Sequence, residues 1–295
     1  MSDTILVTGA SGHLGDAIIR HLLDSQGLAP SRIVAASRNP DKLAALGARG
    51  VTVRKADFDD PAGLEAAFAG VGTVLIISTD ALDGAGTRLR QHQAAVAAAA
   101  KAGVARIAYT SLPNADTSKV SFAPDHLGTE TAIKATGLPY LIFRNSWYQE
   151  NLFMSLPQAL KSGQWFTSAG DGRTAFIARD DIAAAIASAL SNPPAESTTY
   201  TLTGAEALTN AEIAALAAEV TGKPLQAVHL TDEQLAGGMK AAGVPDAFIP
   251  TLVSFETAAR AGDLAVVTDD ATKLSGRALQ PMRTFLEANK AALAG

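Results

Sequence analysis

Along the first half of the chain, short apolar runs rich in Val and Ile alternate with longer amphipathic stretches. The runs are TILVT (4–8), RIVAAS (32–37), VTVRKA (51–56), TVLIIS (73–78), RIAYTS (106–111) and YLIFRN (140–145). Helical patterns lie between them near 13–24, 40–47, 61–69, 86–102 and 125–136. Strands written as nearly unbroken apolar runs belong to a sheet covered by helices on both faces. Strand–helix alternation implies parallel pairing through right-handed crossovers. The pattern therefore predicts an α/β protein on a Rossmann-type, doubly wound parallel sheet. Local signals agree: Pro40 and Pro61 stand at first turns, and Gly103 and Gly137 just beyond last turns.

Past about residue 146 the alternation weakens. Strand candidates at 165–169, 174–178, 199–203 and 226–230 are interleaved with helical patterns near 180–191, 209–221, 231–242, 246–261 and 281–293. This predicts a smaller mixed α/β lobe, 147–295, packed over the open end of the sheet formed by 1–146, with some chain exchange between the lobes. No internal repeat or low-complexity linker separates the two.

Composition removes several classes of function. The 295 residues are 47% hydrophobic and 18% charged, with a net charge of −5 and no cysteine. Clustered Lys and Arg, which neutralise phosphates in nucleic-acid binding, are missing, so no nucleic-acid partner is expected. Disulfides, thiolate nucleophiles and Cys-based metal sites are excluded. The start, MSDTILVTG, has no basic segment followed by an apolar core, and no apolar run approaches the roughly 20 residues of a membrane helix. A soluble, cytoplasmic protein without a membrane partner is expected.

The first chemistry appears in Gly9-Ala10-Ser11-Gly12-His13-Leu14-Gly15, directly after the first strand and opening a helix. In such a loop the first glycine permits the tight turn. The second lets phosphate oxygens approach the backbone, and the third lets helix and strand pack closely. The helix start then offers free N–H groups and partial positive charge to a pyrophosphate. A bare turn would also use glycines, but this placement at the head of a βαβ unit points to a dinucleotide. An NAD-preferring site ends its second strand with Asp or Glu for the ribose 2′-hydroxyl. No acid occurs from Ser25 to Pro40, and Arg38 ends the strand. A guanidinium there suits a 2′-phosphate, so NADP(H) is expected over NAD(H). Asp57 and Phe58 would lie near the adenine, and Ser78 and Thr79 on the ribose and nicotinamide side.

Reductases of this shape that act on alcohols or ketones commonly carry Tyr-x-x-x-Lys on the fifth helix. Four residues beyond Tyr109, Tyr140, Tyr148 and Tyr200 lie Pro113, Arg144, Leu152 and Gly204, so no tyrosine has its lysine. In the expected place stands PDHLGTETAIK, with His126 and Glu130 on one helical face. The stretches TGASGHLG, SRNP, IAYTSL, DHLGTE and RNSWYQEN, with the tail TDDATKLSGRALQPMRTFLEA, resemble the NmrA-like branch of atypical short-chain dehydrogenases. Within it they are most similar to NADPH:quinone oxidoreductases of type 2 and triphenylmethane reductases. That resemblance covers essentially the whole chain. It implies the strand order 3-2-1-4-5-6-7, a substrate cleft between the lobes, and His and Glu where relatives have Tyr and Lys. It also implies that NADPH is held by Thr8, Gly9, Ser11, Gly12, His13, Leu14 and Gly15, by Arg38, and by Ser78, Thr79 and Asp80. Asn145, Ser146, Trp147, Tyr148, Gln149 and Glu150 complete the implied set.

The chemistry itself narrows the acceptor. An isolated ketone becomes an alkoxide on reduction and needs a positioned acid. A quinone becomes a delocalised phenolate-like anion whose conjugate acid has a pKa around 10. Water or a few hydrogen bonds suffice for it, and a cationic dye needs no proton at all. The expectation is an NADPH-dependent reductase of quinones or similar flat acceptors, weaker with NADH, without flavin or metal. Asn145, Trp147 and Tyr148 follow the sixth strand and can line such a site, Asn145 by hydrogen bonding and the aromatics by offering flat surface; equally, both aromatics can be core between the lobes. His126 is either a proton donor to a quinone oxygen or a structural histidine held by Asp125 or Glu130. Ser111 contacts substrate or caps backbone. A small-molecule acceptor is the partner expected, with a homodimer as the assembly considered.

Two other readings stay open: an NAD(P)-binding redox sensor without catalysis, and a carbonyl or imine reductase using His126 as acid. The remaining features read as structural. His13 contributes mainly its backbone N–H, and His92 is surface or inter-helix packing. GDGR (170–173) is a hairpin turn, with Arg173 or Arg179 able to face the cleft. Asp180-Asp181 is a helix cap. His21 and His229 lack metal-ligand partners at suitable spacing, so no metal is expected.

Overall fold

The computed structural model describes residues 3–83 and 85–294. Six strands arise in the first half: β1 (Ile5–Val7), β2 (Ile33–Ser37), β3 (Thr52–Lys55), β4 (Thr73–Ile76), β5 (Arg106–Ser111) and β6 (Tyr140–Asn145). The helices α1 (His13–Arg20), α2 (Ala44–Ala48), α3 (Pro61–Phe68), α4 (Thr87–Lys101) and α5 (Ala123–Ala135) connect them. After α6 (Leu156–Ser162), β7 (Gln164–Thr167), β8 (Arg173–Thr174) and α7 (Arg179–Ser191), the chain returns to the sheet as β9 (Thr198–Leu202). The order is β3-β2-β1-β4-β5-β6-β9, all parallel, as the family resemblance implied.

The apolar runs divide between two cores because successive strand residues face opposite ways. Ile5, Val7, Ile33, Ala35 and Leu75 pack with α1, α7 and Ala271 of α11 (Asp270–Ser275) on one face. Leu6, Val34, Ala36, Val74 and Ile76 pack with α3, α4 and α5 on the other. The edge strands β3 (TVRK) and β9 (TTYTL) are the polar ones, half-exposed along their length. The order reverses at β1, whose neighbours are β2 and β4, and at such a switch point a crevice opens at the strands' carboxyl ends.

Over that end sits the second lobe. Its own core joins α6 and β7 to α8 (Asn210–Thr221) and α12 (Met282–Ala288). The strand pairs β8 with β10 (Leu208–Thr209) and β7 with β11 (Gln226–His229) complete it. Helix α10 (Ile249–Arg260) lies beside the crevice with α9 (Asp232–Ala241) packed against it, and α13 (Lys290–Ala294) ends the described chain.

Several local expectations change. The helix expected at 40–47 is a tight 3₁₀ turn at Pro40–Leu43 followed by a five-residue helix, because the Asn39 side chain caps Asp41 N at 3.2 Å and starts the chain in the tighter turn. The strand at 174–178 pairs only at Arg173–Thr174, and Ile177 instead bridges Tyr148. The helix at 281–293 breaks at Asn289. Asp180 and Asp181 do not cap α7: Ala178 is its N-cap, and the two carboxylates bind His21, Arg277 and the amide of Gln280, tying the tail to the start of α7.

Candidate functional site

The glycine loop is bent as its sequence requires. Gly9 has φ +60°, a left-handed conformation that glycine adopts without strain, and Gly12 N donates to Gly9 O at 2.9 Å. A Cβ on Gly15 would stand 2.4 Å from Gly9 O and 2.9 Å from Ala10 Cα, so only glycine lets α1 begin this close to β1. The first intrahelical bond is Asp16 N to Gly12 O, leaving the amides of His13, Leu14 and Gly15 without helical acceptors. Thr8 is used for bracing: its hydroxyl donates to Leu75 O and accepts from Ile77 N, locking the end of β1 to that of β4.

Of the cavities lined by this loop, two reach the residues that follow the strands. One, of about 310 Å³, is walled by Ser11, Ser37, Arg38, Asp57 and Phe58. Ser11 and Ser37 share a 2.8 Å hydrogen bond there, and Arg38 is exposed. The other, of about 540 Å³, runs between the lobes from Gly12 past Ser78, Thr79 and Asp80 to Asn145 and Tyr148. Its far wall is apolar: Phe122, Trp147, Phe248, Leu252 and Phe255, with Met154 71% exposed at the mouth. Trp147 meets Phe255 edge-on, with centroids 4.9 Å apart. Trp147 thus both packs the lobes together and lines the cleft.

Buried polar atoms ordinarily find partners. Along this cleft Thr79 Oγ1, Ser146 Oγ and both amide atoms of Asn145 are buried without one among the described residues. The Asn145 amide lies near enough to the Tyr148 hydroxyl to favour its ionised form, yet completes no hydrogen bond of acceptable geometry. Desolvation outweighs that influence and holds the Tyr148 hydroxyl above the usual phenol range. Arg179 lies over the Tyr148 ring at 5.1 Å, whereas Arg173 is bound to Glu212 outside the cleft. Gln149 and Glu150 are engaged with the second lobe, Gln149 donating to Gln280 O and Glu150 accepting from Arg179 N at the start of α7. The part of that segment facing the cleft is therefore 145–148.

Behind the cleft, α4 and α5 share a buried polar web. His126 Nε2 lies 3.0 Å from Arg88 Nη2; arginine can only donate, so Nε2 accepts and the ring proton sits on Nδ1, 2.7 Å from the Tyr109 hydroxyl. His92 Nε2 accepts from Thr79 N at 2.9 Å, and its Nδ1 faces Thr129 Oγ1 at 3.0 Å. Desolvation, reinforced by the Arg88 charge, keeps the His126 pKa well below its ordinary value and lowers that of His92 to about 3. The partners expected for a structural His126 are corrected: the ring is held by Arg88 and Tyr109 rather than by Asp125 or Glu130, with its proton directed at the Tyr109 hydroxyl. His92 is completely buried inter-helix packing. Glu130, also completely buried, accepts from Ser111 Oγ at 2.7 Å and from Arg144 Nε and Nη2 at 2.9 and 2.8 Å. The Ser111 hydroxyl proton is thereby committed away from the cleft. Among the described residues no cluster of His, Asp and Glu is placed to hold a metal ion.

Sequence reasoning missed Arg88, Phe122, Phe248 and Phe255. Only Arg88 carried a signal, standing one turn before His92 on the same face of α4.

An unspent polar rim beside a glycine loop at a sheet's switch point defines a Rossmann-type dinucleotide-binding protein with an apolar second compartment. The chain belongs to the NmrA-like family, whose description matches residues 1–286. It is 39% identical over 283 residues to quinone oxidoreductase 2 of Escherichia coli K12, covering 96% of each chain. The crystal structure of the NADPH-dependent quinone oxidoreductase QOR2 of E. coli with NADPH superposes with a TM-score of 0.92, at 37% identity, over 97% of this chain and 99% of that one. The Citrobacter sp. triphenylmethane reductase with NADP(H) superposes at 0.90, with 35% identity over 97% and 100%.

Proposed function

We propose that the protein is an NADPH-dependent reductase that delivers hydride to quinones or similar flat, electron-poor acceptors. One observation carries this reading above all: the cleft joins unpartnered polar atoms to an aromatic-walled compartment, while His126 and Tyr109 beside it are locked in neutral, inward hydrogen bonds. That arrangement suits an acceptor whose reduced form needs no strong acid.

The residues present fit the dinucleotide. The first-turn amides of α1 suit a pyrophosphate, and glycine at position 15 lets α1 start close enough to the end of β1 to present them there. Arg38, beside the smaller cavity, suits a 2′-phosphate. Thr79, Asn145 and Ser146 suit the ribose and carboxamide of the nicotinamide end. Bound there, the reduced nicotinamide supplies the hydride, a two-electron transfer that needs neither flavin nor metal. The protein's part is placement and exclusion of water: Trp147, Tyr148 and Phe255 offer flat apolar surface, and the second lobe covers the sheet's open end.

The test is purified protein mixed with NADPH or NADH and a panel of quinones, following the nicotinamide absorbance. Turnover is expected, faster with NADPH. Arg38→Ala should weaken NADPH roughly 10- to 150-fold, the worth of a charged hydrogen bond, and NADH by less than about threefold. No oxidation with any acceptor, alongside tight NADP⁺ binding, would replace the enzyme by a redox sensor.

A further inference from the structure

Arg88 is 7% exposed, stands on the cleft wall and has no carboxylate partner within ion-pairing distance among the described residues. Of its five N–H bonds, one goes to Thr79 O and one to His126 Nε2. Nε–H is buried without an acceptor. The guanidinium lies 4.8 Å from the centroid of the Phe122 ring, which holds its plane. A buried, unpaired cation is costly, and natural proteins pair such charges or neutralise them. Arginine cannot shed its proton at physiological pH. His126 is neutral and presents its Nε2 lone pair to the guanidinium, and His92, also neutral, turns its Nε2 to Thr79 N, so nothing among its close partners compensates the charge. Asp80 and Asp125 act on it only at longer range.

We propose that Arg88 stabilises the negative charge that hydride delivery leaves on the acceptor oxygen, and that its buried charge makes the cleft select neutral quinone-type acceptors over cationic dyes. This rests on the reductase reading above. A quinone taking up hydride gains two electrons and one proton and becomes the hydroquinone monoanion. The oxidised product is NADP⁺, and a proton from water completes the hydroquinone. The charge develops on the acceptor oxygen as the hydride is transferred, so Arg88 interacts more strongly with the transition state and the reduced form than with the neutral acceptor, which is the condition for catalysis. His126 is a positioning residue here: its Nε2 lone pair fixes one arm of the guanidinium, and protonation would turn that attraction into repulsion. A cationic acceptor gains nothing from Arg88 before transfer and loses its own charge upon it. The same residue that assists a quinone therefore opposes its binding.

The test uses 4-nitrophenol as the probe, titrated by phenolate absorbance on the protein saturated with NADP⁺, so that any influence of the bound nicotinamide is common to all variants. The bound phenol should ionise about one unit or more below its value in water, as expected for an opposite charge within a few ångströms. Arg88→Gln should remove most of that difference, Arg88→Lys should restore part of it, and nitrobenzene, the neutral counterpart, should bind all three within about threefold. In turnover, Arg88→Gln should lower kcat for a quinone at least tenfold with little change in its KM, and raise activity with a cationic triphenylmethane dye relative to the quinone. Equal phenol ionisation in wild type and Arg88→Gln, with nitrobenzene binding retained, overturns the proposal; so does a wild type that binds the phenolate no more tightly than the phenol. An Arg88-dependent phenol shift without turnover of any quinone would leave the anion site standing and defeat the reductase reading instead.

Discussion

Glu130 stands four residues after His126 on α5, and its environment gives it a structural task. The carboxylate is completely buried and accepts three hydrogen bonds, one from Ser111 and two from Arg144, with Lys134 Nζ 3.7 Å away. Removing one partner of a buried pair typically costs about 3–5 kcal/mol, because the other charge is left unpaired. Arg144 is one-fifth exposed and has Asp116 at 3.6 Å as a second partner, which places the cost of Glu130→Ala at the low end, about 3 kcal/mol. At about 2–3 °C per kcal/mol for a chain of this size, the thermal midpoint should fall by roughly 6–9 °C. Glu130→Gln keeps the shape and one acceptor oxygen, so about 1–2 kcal/mol is expected. Unfolding followed by circular dichroism gives the midpoints, and NADPH binding followed by fluorescence well below them should change by less than about threefold. A Glu130→Gln protein of wild-type stability that has lost turnover would refute this reasoning and make Glu130 a participant in the reaction.

The buried histidines make stability depend on pH in a defined direction. His92 is held neutral with a pKa of about 3, whereas the unfolded chain titrates near 6.5, so the unfolded state takes up the proton first and stability is lost as pH falls below about 6.5. Between about pH 7 and pH 5 this amounts to about 2 kcal/mol, and the unfolding free energy from urea titration should fall by about that much less for His92→Gln than for wild type; parallel curves would contradict the assignment. Gly15→Ala places a methyl carbon 2.4 Å from Gly9 O, a backbone atom that cannot turn aside. Overpacking of about 1–3 kcal/mol and at least a tenfold loss of NADPH affinity should follow, and wild-type affinity in the variant would show that the loop can yield.

Features written in local periodicity and turn chemistry were legible along the chain. Five of the six runs became the central strands β1, β2, β4, β5 and β6 because a strand buried on both faces is apolar over most of its length, and no neighbour is needed to see that; the more polar sixth became the edge strand β3. Gly9, Gly12 and Gly15 announced the loop because their backbone geometry tolerates little else. Arg38 was legible as a charge standing where an acid was expected. The cleft was not. In TRLRQHQ, Arg88 and Arg90 read alike, yet Arg90 is exposed and pairs with Asp59, while Arg88 is buried without a counter-charge. That difference depends on Phe122 and His126, more than thirty residues away, arriving against the same face of α4. Phe248 and Phe255 come from the second lobe, and nothing local marks them as walls. His126 shows the division most clearly. Its place on α5 could be read from spacing, but its protonation follows from desolvation and from the direction of one guanidinium, and both come into being when the helices pack.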